Sequence, residues 1–290
     1  MMTRISRPVS LLAAAAVVCA TLCAQSQPIV WSDREKPIVE QMRRLRSLSD
    51  AERPGATKQL ALEIRQLPAN SRKGTLAEHL ANLATEGDPG PGVLQEVTAT
   101  LAEALREKPV AADKGQPAMP YLTLAQLVRY EGMQVSLEDP QLAAAMAKLA
   151  ADDKQRQAAD FTLTDLKGTS WTLRNLRGQV VLVNFWATWC PPCRKEMPDL
   201  EALYQRFGKR GLVILAISDE EAGKVEPFVA EHKVGYPVLL DPGRKVNEIF
   251  RIEGIPKSFV YDRSGKLVAQ AIDMRTQKQF LSMLAQAGLE

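Results

Sequence analysis

One segment constrains the fold and chemistry of this chain more than any other. Residues 180–198 read VVLVNFWATWCPPCRKEMP. The first part is a run of β-forming apolar residues, which is typical of a buried strand. A proline directly after Cys190 suits the first turn of a helix, because the missing N–H removes no hydrogen bond there. The sequence therefore predicts a strand that leads into a helix with Cys190 at its N-terminus.

This position favours redox chemistry at Cys190 and Cys193. Free N–H groups and the helix dipole stabilise a thiolate, which is the species that attacks a disulfide. A second cysteine three residues later can resolve the mixed disulfide. The alternatives are half of a zinc site and a static structural disulfide. Zinc needs about four ligands, and only these two of the four cysteines lie beyond residue 23.

The first 26 residues have the pattern of a secretory signal peptide. A positive region precedes an apolar run over residues 9–24, and this run is shorter than the roughly 20 residues that usually span a membrane. Cleavage would remove Cys19 and Cys23 and leave one cysteine pair in an oxidising compartment. We expect an exported protein, periplasmic or otherwise extracytoplasmic. An uncleaved membrane anchor and lipidation at Cys23 are the alternatives.

Composition argues against several other kinds of site and partner. The net charge is +3 and no block of basic residues occurs, so we expect no nucleic-acid partner. The chain has two histidines, His79 and His232, which are far apart in the sequence. This argues against a metal site built from histidines and against a cysteine protease, which needs a catalytic histidine. We expect neither a metal nor a cofactor.

Residues 27–157 read as an all-α helical domain of unknown role. Apolar residues recur near helical spacing, which indicates helices packed on helices. The predicted helices cover residues 33–48, 50–67, 76–84, 93–108, 121–130 and 139–153. The residue types name no partner, although the surface of such a domain could bind a protein.

Residues 158–290 instead alternate strands with helices. A hairpin is predicted over residues 161–173, strands over 180–186, 212–217 and 236–240, helices over 191–208, 221–232 and 245–250, and a closing hairpin and helix over 257–272 and 275–287. This order predicts an α/β fold, with a mixed sheet and helices on both of its faces.

This second half resembles the thioredoxin superfamily and, within it, the exported TlpA/ResA-like thiol–disulfide oxidoreductases. Three features carry the resemblance: the segment FWATWCPPC at 185–193 followed by Glu196 and Pro198, the tripeptide Gly-Ile-Pro at 254–256, and an extra helix and strand at 221–240. The resemblance covers roughly residues 158–290 and implies a thioredoxin-like fold, with the helical domain outside it.

The resemblance implies roles for three residues of the predicted active-site helix. Cys190, exposed at the helix start, would be the nucleophile, and Cys193 would be the resolving cysteine. Glu196 shares a helix face with Cys193 and would handle protons, unless it is a solvated surface glutamate. Asn184 stands where thioredoxin has a buried aspartate and cannot titrate, so Glu196 or water would have to do that work.

Further residues are implied in substrate binding. Pro256 would be cis and would present the backbone of Ile255 to an extended substrate, while Trp189 would contribute to the surface that faces it. Pro191 and Pro192 replace the Gly-Pro pair of thioredoxin, so its strongly reducing character cannot be transferred to this chain.

The leading prediction of function is a reductant of client protein disulfides. The resemblance implies clients such as apocytochrome c during cytochrome c maturation, and a membrane thiol protein as the electron donor. One alternative is a thiol peroxidase, since peroxiredoxins share the fold, but they place a threonine three residues before the attacking cysteine and Thr188 is only two before Cys190. The other alternative is a partner-binding helical protein with a secondary redox module.

Overall fold

A computed structural model describes residues 29–112 and 114–290 of the chain. The predicted signal peptide at residues 1–26 lies outside these residues and stays a prediction. Contacts divide the chain into a unit that ends at residue 31 and a unit of residues 32–290. In the described residues, no helix has both the length and the apolar character that crossing a bilayer requires.

The N-terminal part of the larger unit is helical, as predicted. Its described α-helices are α1 (Lys36–Arg44), α2 (Arg53–Arg65), α3 (Ser71–Ala84), α4 (Pro91–Glu107), α5 (Met119–Glu131) and α6 (Pro140–Gln157). All of these except α3 have a proline in the first two positions, where no N–H is needed for the helix. The side chain of Asn70 caps α3 instead, by accepting a hydrogen bond from Lys73 N. Fully buried Leu60, Leu80 and Leu101 lie in the core of this part.

The C-terminal part contains a small hairpin and a mixed sheet. The hairpin pairs β1 (Thr162–Thr164) with β2 (Ser170–Thr172). The sheet contains β3 (Val180–Phe185), β4 (Leu212–Ser218), β5 (Val238–Leu240), β6 (Lys257–Tyr261) and β7 (Leu267–Ala271) in the order β5-β4-β3-β6-β7. Strands β3, β4 and β5 are parallel, whereas β6 and β7 are antiparallel to their neighbours. Every residue of β3 and β4 is buried, as their apolar runs predicted.

Helices α7 (Pro191–Phe207), α8 (Ala222–Glu231), α9 (Lys245–Ile249) and α10 (Gln277–Gln286) flank this sheet. Alternate residues of β3 point to opposite faces. Val180 and Leu182 share one core with apolar residues of α7, α8 and α10, whereas Val181 and Val183 share the other with residues of α9. This arrangement confirms the predicted thioredoxin-like fold class of the C-terminal half.

Other parts of the chain bond to both edge strands of the sheet. At the β5 edge, Leu166 N donates to Val238 O at 3.0 Å. At the β7 edge, the side chain of Gln157 accepts from Leu267 N at 2.8 Å and donates to Gly265 O at 3.0 Å. Helix α6 ends at Gln157; the division of the chain into domains at residues 157 and 158 stays a prediction.

The fully buried ring of Phe250 lies in the core on the second face of the sheet, which contains Val181 and Val183. Its centroid lies 5.1 Å from those of Phe185 and Phe259 and 6.0 Å from that of Phe161. We expect Phe250→Ala to lower the free energy of unfolding by about 3–5 kcal/mol, because the cavity would be bordered by three other rings. Urea denaturation measures the change. Met119→Ala, at an exposed position, is the control and should change stability by less than about 0.5 kcal/mol.

Candidate active site

The two cysteines lie at the N-terminus of α7, where the sequence predicts them. Cys190 is the N-cap residue, and its Sγ accepts a hydrogen bond from Cys193 N at 3.2 Å. The two sulfurs form a disulfide. When the pair is reduced, the same N–H and the helix dipole can stabilise a thiolate on Cys190.

Cys190 is buried in this disulfide form, so the prediction that it is exposed is wrong here. Its side chain is 2% exposed and that of Cys193 is fully buried, and both belong to the core below α7. The reason is that the Cys190 sulfur faces the loop before β6, where it lies 3.9 Å from the Ile255 carbonyl oxygen. The preceding residue, Trp189, is instead 66% exposed.

The loop before β6 has the predicted backbone. The Ile255–Pro256 peptide bond is cis, with Pro256 buried and Ile255 half-buried. In the first turn of α7, between the two cysteines, Pro191 is exposed and Pro192 half-buried. The Ile255 carbonyl group and this turn thus both lie beside the disulfide.

Glu196 is buried one turn after Cys193, so the alternative of a solvated glutamate is wrong. Only 1% of the residue is exposed. Its Oε1 accepts a hydrogen bond from Asn184 Nδ2 at 2.8 Å, and its Oε2 accepts one from Arg275 N at 3.1 Å. Asn184 also donates to Ser258 Oγ at 3.0 Å, because the pairing of β3 with β6 places these two residues side by side.

Burial controls the charge of this carboxyl. Removal from water raises the pKa of Glu196 to about 8, while the hydrogen bonds from Arg275 and Asn184 act in the opposite direction. A carboxyl with such a pKa holds a proton at neutral pH and can release it when a neighbouring group takes it up.

Three charged residues near this site were not predicted to belong to it: Lys257, Asp273 and Arg275. Removal from water raises the pKa of Asp273 to about 6 and lowers that of Lys257 to about 8. Lys257 Nζ donates to the Ile272 carbonyl oxygen. Asp273 and Arg275 follow β7 in a loop without any periodic pattern, so the only available signal was the hairpin pairing that brings the end of β7 beside the start of β6.

Residues 29–112 and 114–290 contain no group of three or more His, Cys, Asp or Glu side chains arranged to hold a metal ion.

The raised pKa of Glu196 predicts how stability depends on pH. The folded protein holds this proton up to about pH 8, whereas an unfolded glutamate loses it near pH 4.5. The stabilising contribution of the bound proton is therefore complete below the unfolded value and is lost as pH rises to about 8, by at most about 1.4 kcal/mol per pH unit.

In Glu196→Gln we expect this loss of stability between pH 5 and 8 to shrink, because Gln cannot titrate. Urea denaturation of the oxidised protein at several pH values measures it. Glu226→Gln on the exposed side of α8 controls for removal of one carboxylate and should keep the wild-type slope. An unchanged slope in Glu196→Gln would contradict the assignment.

Comparison with known proteins identifies the same half of the chain. The AhpC/TSA family model matches residues 155–270. Thiol-disulfide oxidoreductase ResA of Bacillus thuringiensis (strain Al Hakam) is 38% identical over 125 residues, which cover 43% of this chain and 72% of that protein. The protein of the same name from Halalkalibacterium halodurans is 37% identical over 113 residues, 39% of this chain and 64% of that protein.

Among solved structures, a putative thiol:disulfide interchange protein DsbE from Chlorobium tepidum matches with a TM-score of 0.43 and 28% identity, over 45% of this chain and 94% of that chain. The sequence relatives carry the assignment, since the ResA protein of Bacillus thuringiensis is matched over most of its own length. Through its thioredoxin-like half, the chain belongs to the ResA family of thiol-disulfide oxidoreductases.

Proposed function

We propose that this protein reduces disulfides of client proteins outside the cytoplasm through the Cys190–Cys193 couple. The observation that carries the proposal is the position of Cys190 Sγ, which caps α7 and accepts the Cys193 N–H at 3.2 Å. A sulfur in this position is stabilised as a thiolate without any added cation or metal.

The reaction begins from the reduced pair. The Cys190 thiolate attacks one client sulfur, so a mixed disulfide forms and the second client sulfur leaves as a thiolate. Cys193 then attacks Cys190 Sγ, which releases the first client sulfur and forms the Cys190–Cys193 disulfide. Two electrons pass to the client, and its two thiolates take up two protons. A thiol protein at the membrane would return the enzyme to its reduced form.

Glu196 in its ionised form, which is the minor form at neutral pH, is proposed to accept the proton that Cys193 must lose before it can attack. The carboxyl lies one helical turn after Cys193 on α7, and its raised pKa is close to that of a cysteine thiol. Proton transfer between groups of similar pKa needs little driving force. Asn184, which cannot titrate, would orient the carboxyl through its hydrogen bond to Oε1.

Clients are proposed to bind over the disulfide. Exposed Trp189 offers an apolar face to them, and Ile255 offers its backbone beside Pro256. Pro191 and Pro192 form the opposite side of this surface. The resemblance to TlpA/ResA-like proteins supports the cysteines of apocytochrome c as clients during cytochrome c maturation, and the signal-like N-terminus supports an exported, periplasmic location.

The peroxidase alternative is weaker than the disulfide reductase. The hydroxyl of Thr188 donates to Glu220 Oε1 at 2.9 Å, and Thr188 N donates to Glu220 Oε2 at 2.6 Å. The hydroxyl and the backbone N–H of Thr188 thus both donate to Glu220, so neither is free to bind a peroxide at Cys190. An assay with hydrogen peroxide and a thiol reductant would reveal any such activity.

A role for the helical half in client binding stays a proposal. A cavity of about 200 Å³ lies between α5 and the loop before β6 and is lined on one side by Met119 and Leu122, on the other by Gly254 and Lys257. Met119 is more than half exposed. A client held at the cysteines could therefore extend onto α5.

Substitution of each cysteine tests the mechanism. In the chain from residue 27 onward, Cys190→Ser should abolish reduction of a model disulfide, because the attacking sulfur is lost. Cys193→Ser should retain the attack but accumulate the mixed disulfide, visible as a client-sized mass increase that dithiothreitol reverses. Full activity in Cys190→Ser would refute the mechanism.

The reduction potential of the pair tests the direction of electron flow. Equilibration with defined thiol and disulfide buffers should give a value on the reducing side of the range, closer to about −270 mV than to about −120 mV. A value near about −120 mV would instead indicate a disulfide donor, and the proposal of a reductant would fall while the thiol–disulfide chemistry stood.

A further inference from the structure

The helical half holds the segment that follows β7 through several polar contacts. Gly87 N donates a hydrogen bond to Met274 O at 3.1 Å, and Gln279 Nε2 donates one to Gly87 O at 3.1 Å. Thr85 Oγ1 lies 3.3 Å from Asp273 Oδ2. Thr85 and Gly87 belong to the connection between α3 and α4, so this connection is joined to residues 273–279 by backbone and side-chain bonds.

A buried ion pair adds a further attachment. The guanidinium of Arg275 bonds to the carboxylate of Glu131 at the end of α5, and the two side chains are 6% and 12% exposed. Breaking such a pair would leave a buried charge without its partner, which is strongly unfavourable. The backbone N–H of the same Arg275 donates to Glu196 Oε2 at 3.1 Å. Arg275 therefore contacts the helical half with its side chain and the buried carboxyl with its backbone.

We propose that the helical half positions the loop of residues 272–276 so that the Arg275 N–H remains bonded to Glu196, which makes Gly87 and Glu131 positioning residues for the acid–base chemistry of the redox site. The consequence for electron transfer rests on the proposed function, but the positioning itself does not. The helical half is in this view a structural component of the redox site rather than a separate attachment to it.

The charges around Glu196 define what such positioning controls. The Arg275 N–H and guanidinium favour the carboxylate, whereas Asp273 disfavours it. Burial raises the pKa of the Tyr236 phenol before β5, and the charge of Glu196 raises it further. Cys193 lies one turn earlier on α7. Asp273 is influenced in turn by Lys257 and by Glu86 of the helical half, so displacement of the loop would change several of these interactions together.

Gly87→Ala offers a test that alters no charge and no residue of the site. Gly87 has a φ of +113°, and a Cβ there would lie 3.4 Å from Met274 Cε. An alanine is strained at this φ, and relaxation of the strain should displace the Gly87 N–H that bonds to Met274 O, and with it the loop. Gly115→Ala is the matched control in the helical half, because its φ is +77° but a Cβ would meet no atom within 4 Å. Both variants place an alanine at a positive φ.

The readout is the pKa of Glu196, followed by the ¹³C shift of its carboxyl carbon in the oxidised full chain. Gly87→Ala should raise this pKa by about one pH unit, because the charged form loses a hydrogen bond. Gly115→Ala should keep the wild-type value. Identical titrations in the two variants would overturn the proposal.

If Gly87→Ala fails to fold, Glu131→Gln tests the proposal by a different measurement. Loss of the ion pair should make the Arg275 amide exchange its hydrogen about tenfold faster. Glu107→Gln is the control, since it breaks the buried Lys73–Glu107 pair between α3 and α4, and should leave that amide protected. Equal exchange in both variants would exclude a positioning role for Glu131.

These measurements are independent of the direction of electron flow. A wild-type chain that reduces no client disulfide would remove the proposed function, yet Glu196 could still be titrated and the Arg275 amide still observed. Conversely, a chain with full activity and equal Glu196 titrations in both glycine variants would keep the function and remove the positioning role.

Discussion

The buried strand β3 fixes the geometry on which the redox site depends. Its residues are buried on both faces, and it is hydrogen-bonded to β4 on one side and β6 on the other. The end of such a strand has little freedom, so the turn that follows delivers Cys190 to the start of α7 at a defined position. The β6 pairing also fixes the proline loop, which immediately precedes that strand. One strand thereby sets the positions of the sulfur, the proline loop and Asn184.

Much of this arrangement could be predicted because it is encoded locally. The apolar run of β3, the proline after Cys190 and the apolar spacing of the N-terminal helices each act over a few residues, and the structure confirms the elements they predicted. The cis form of Pro256 was predicted only from the resemblance, because no local pattern distinguishes it. The resemblance to the family rested on the cysteine segment together with the Gly-Ile-Pro tripeptide at 254–256 and the extra helix and strand at 221–240.

Burial and long-range partners could not be read in the same way. Nothing near Cys190 in the sequence indicates that its sulfur turns toward Ile255. Glu196 looks like an ordinary helix glutamate until the β3–β6 register brings Asn184 beside it and the loop after β7 brings Arg275. These partners are separated from Glu196 by 12 and 79 positions, and their meeting depends on how α7 packs across the sheet. The contact of the helical half with this loop spans a still longer separation, since Glu131 and Arg275 are 144 positions apart.

The bonds made at the two edges of the sheet have a consequence for aggregation. An open strand edge presents unpaired N–H and C=O groups that invite pairing with a strand of another chain. Here the turn of the β1–β2 hairpin bonds to β5, and Gln157 at the end of α6 bonds to the start of β7. Each edge strand therefore has a backbone group that is bonded within the chain, which leaves fewer such groups for edge-to-edge pairing with another chain.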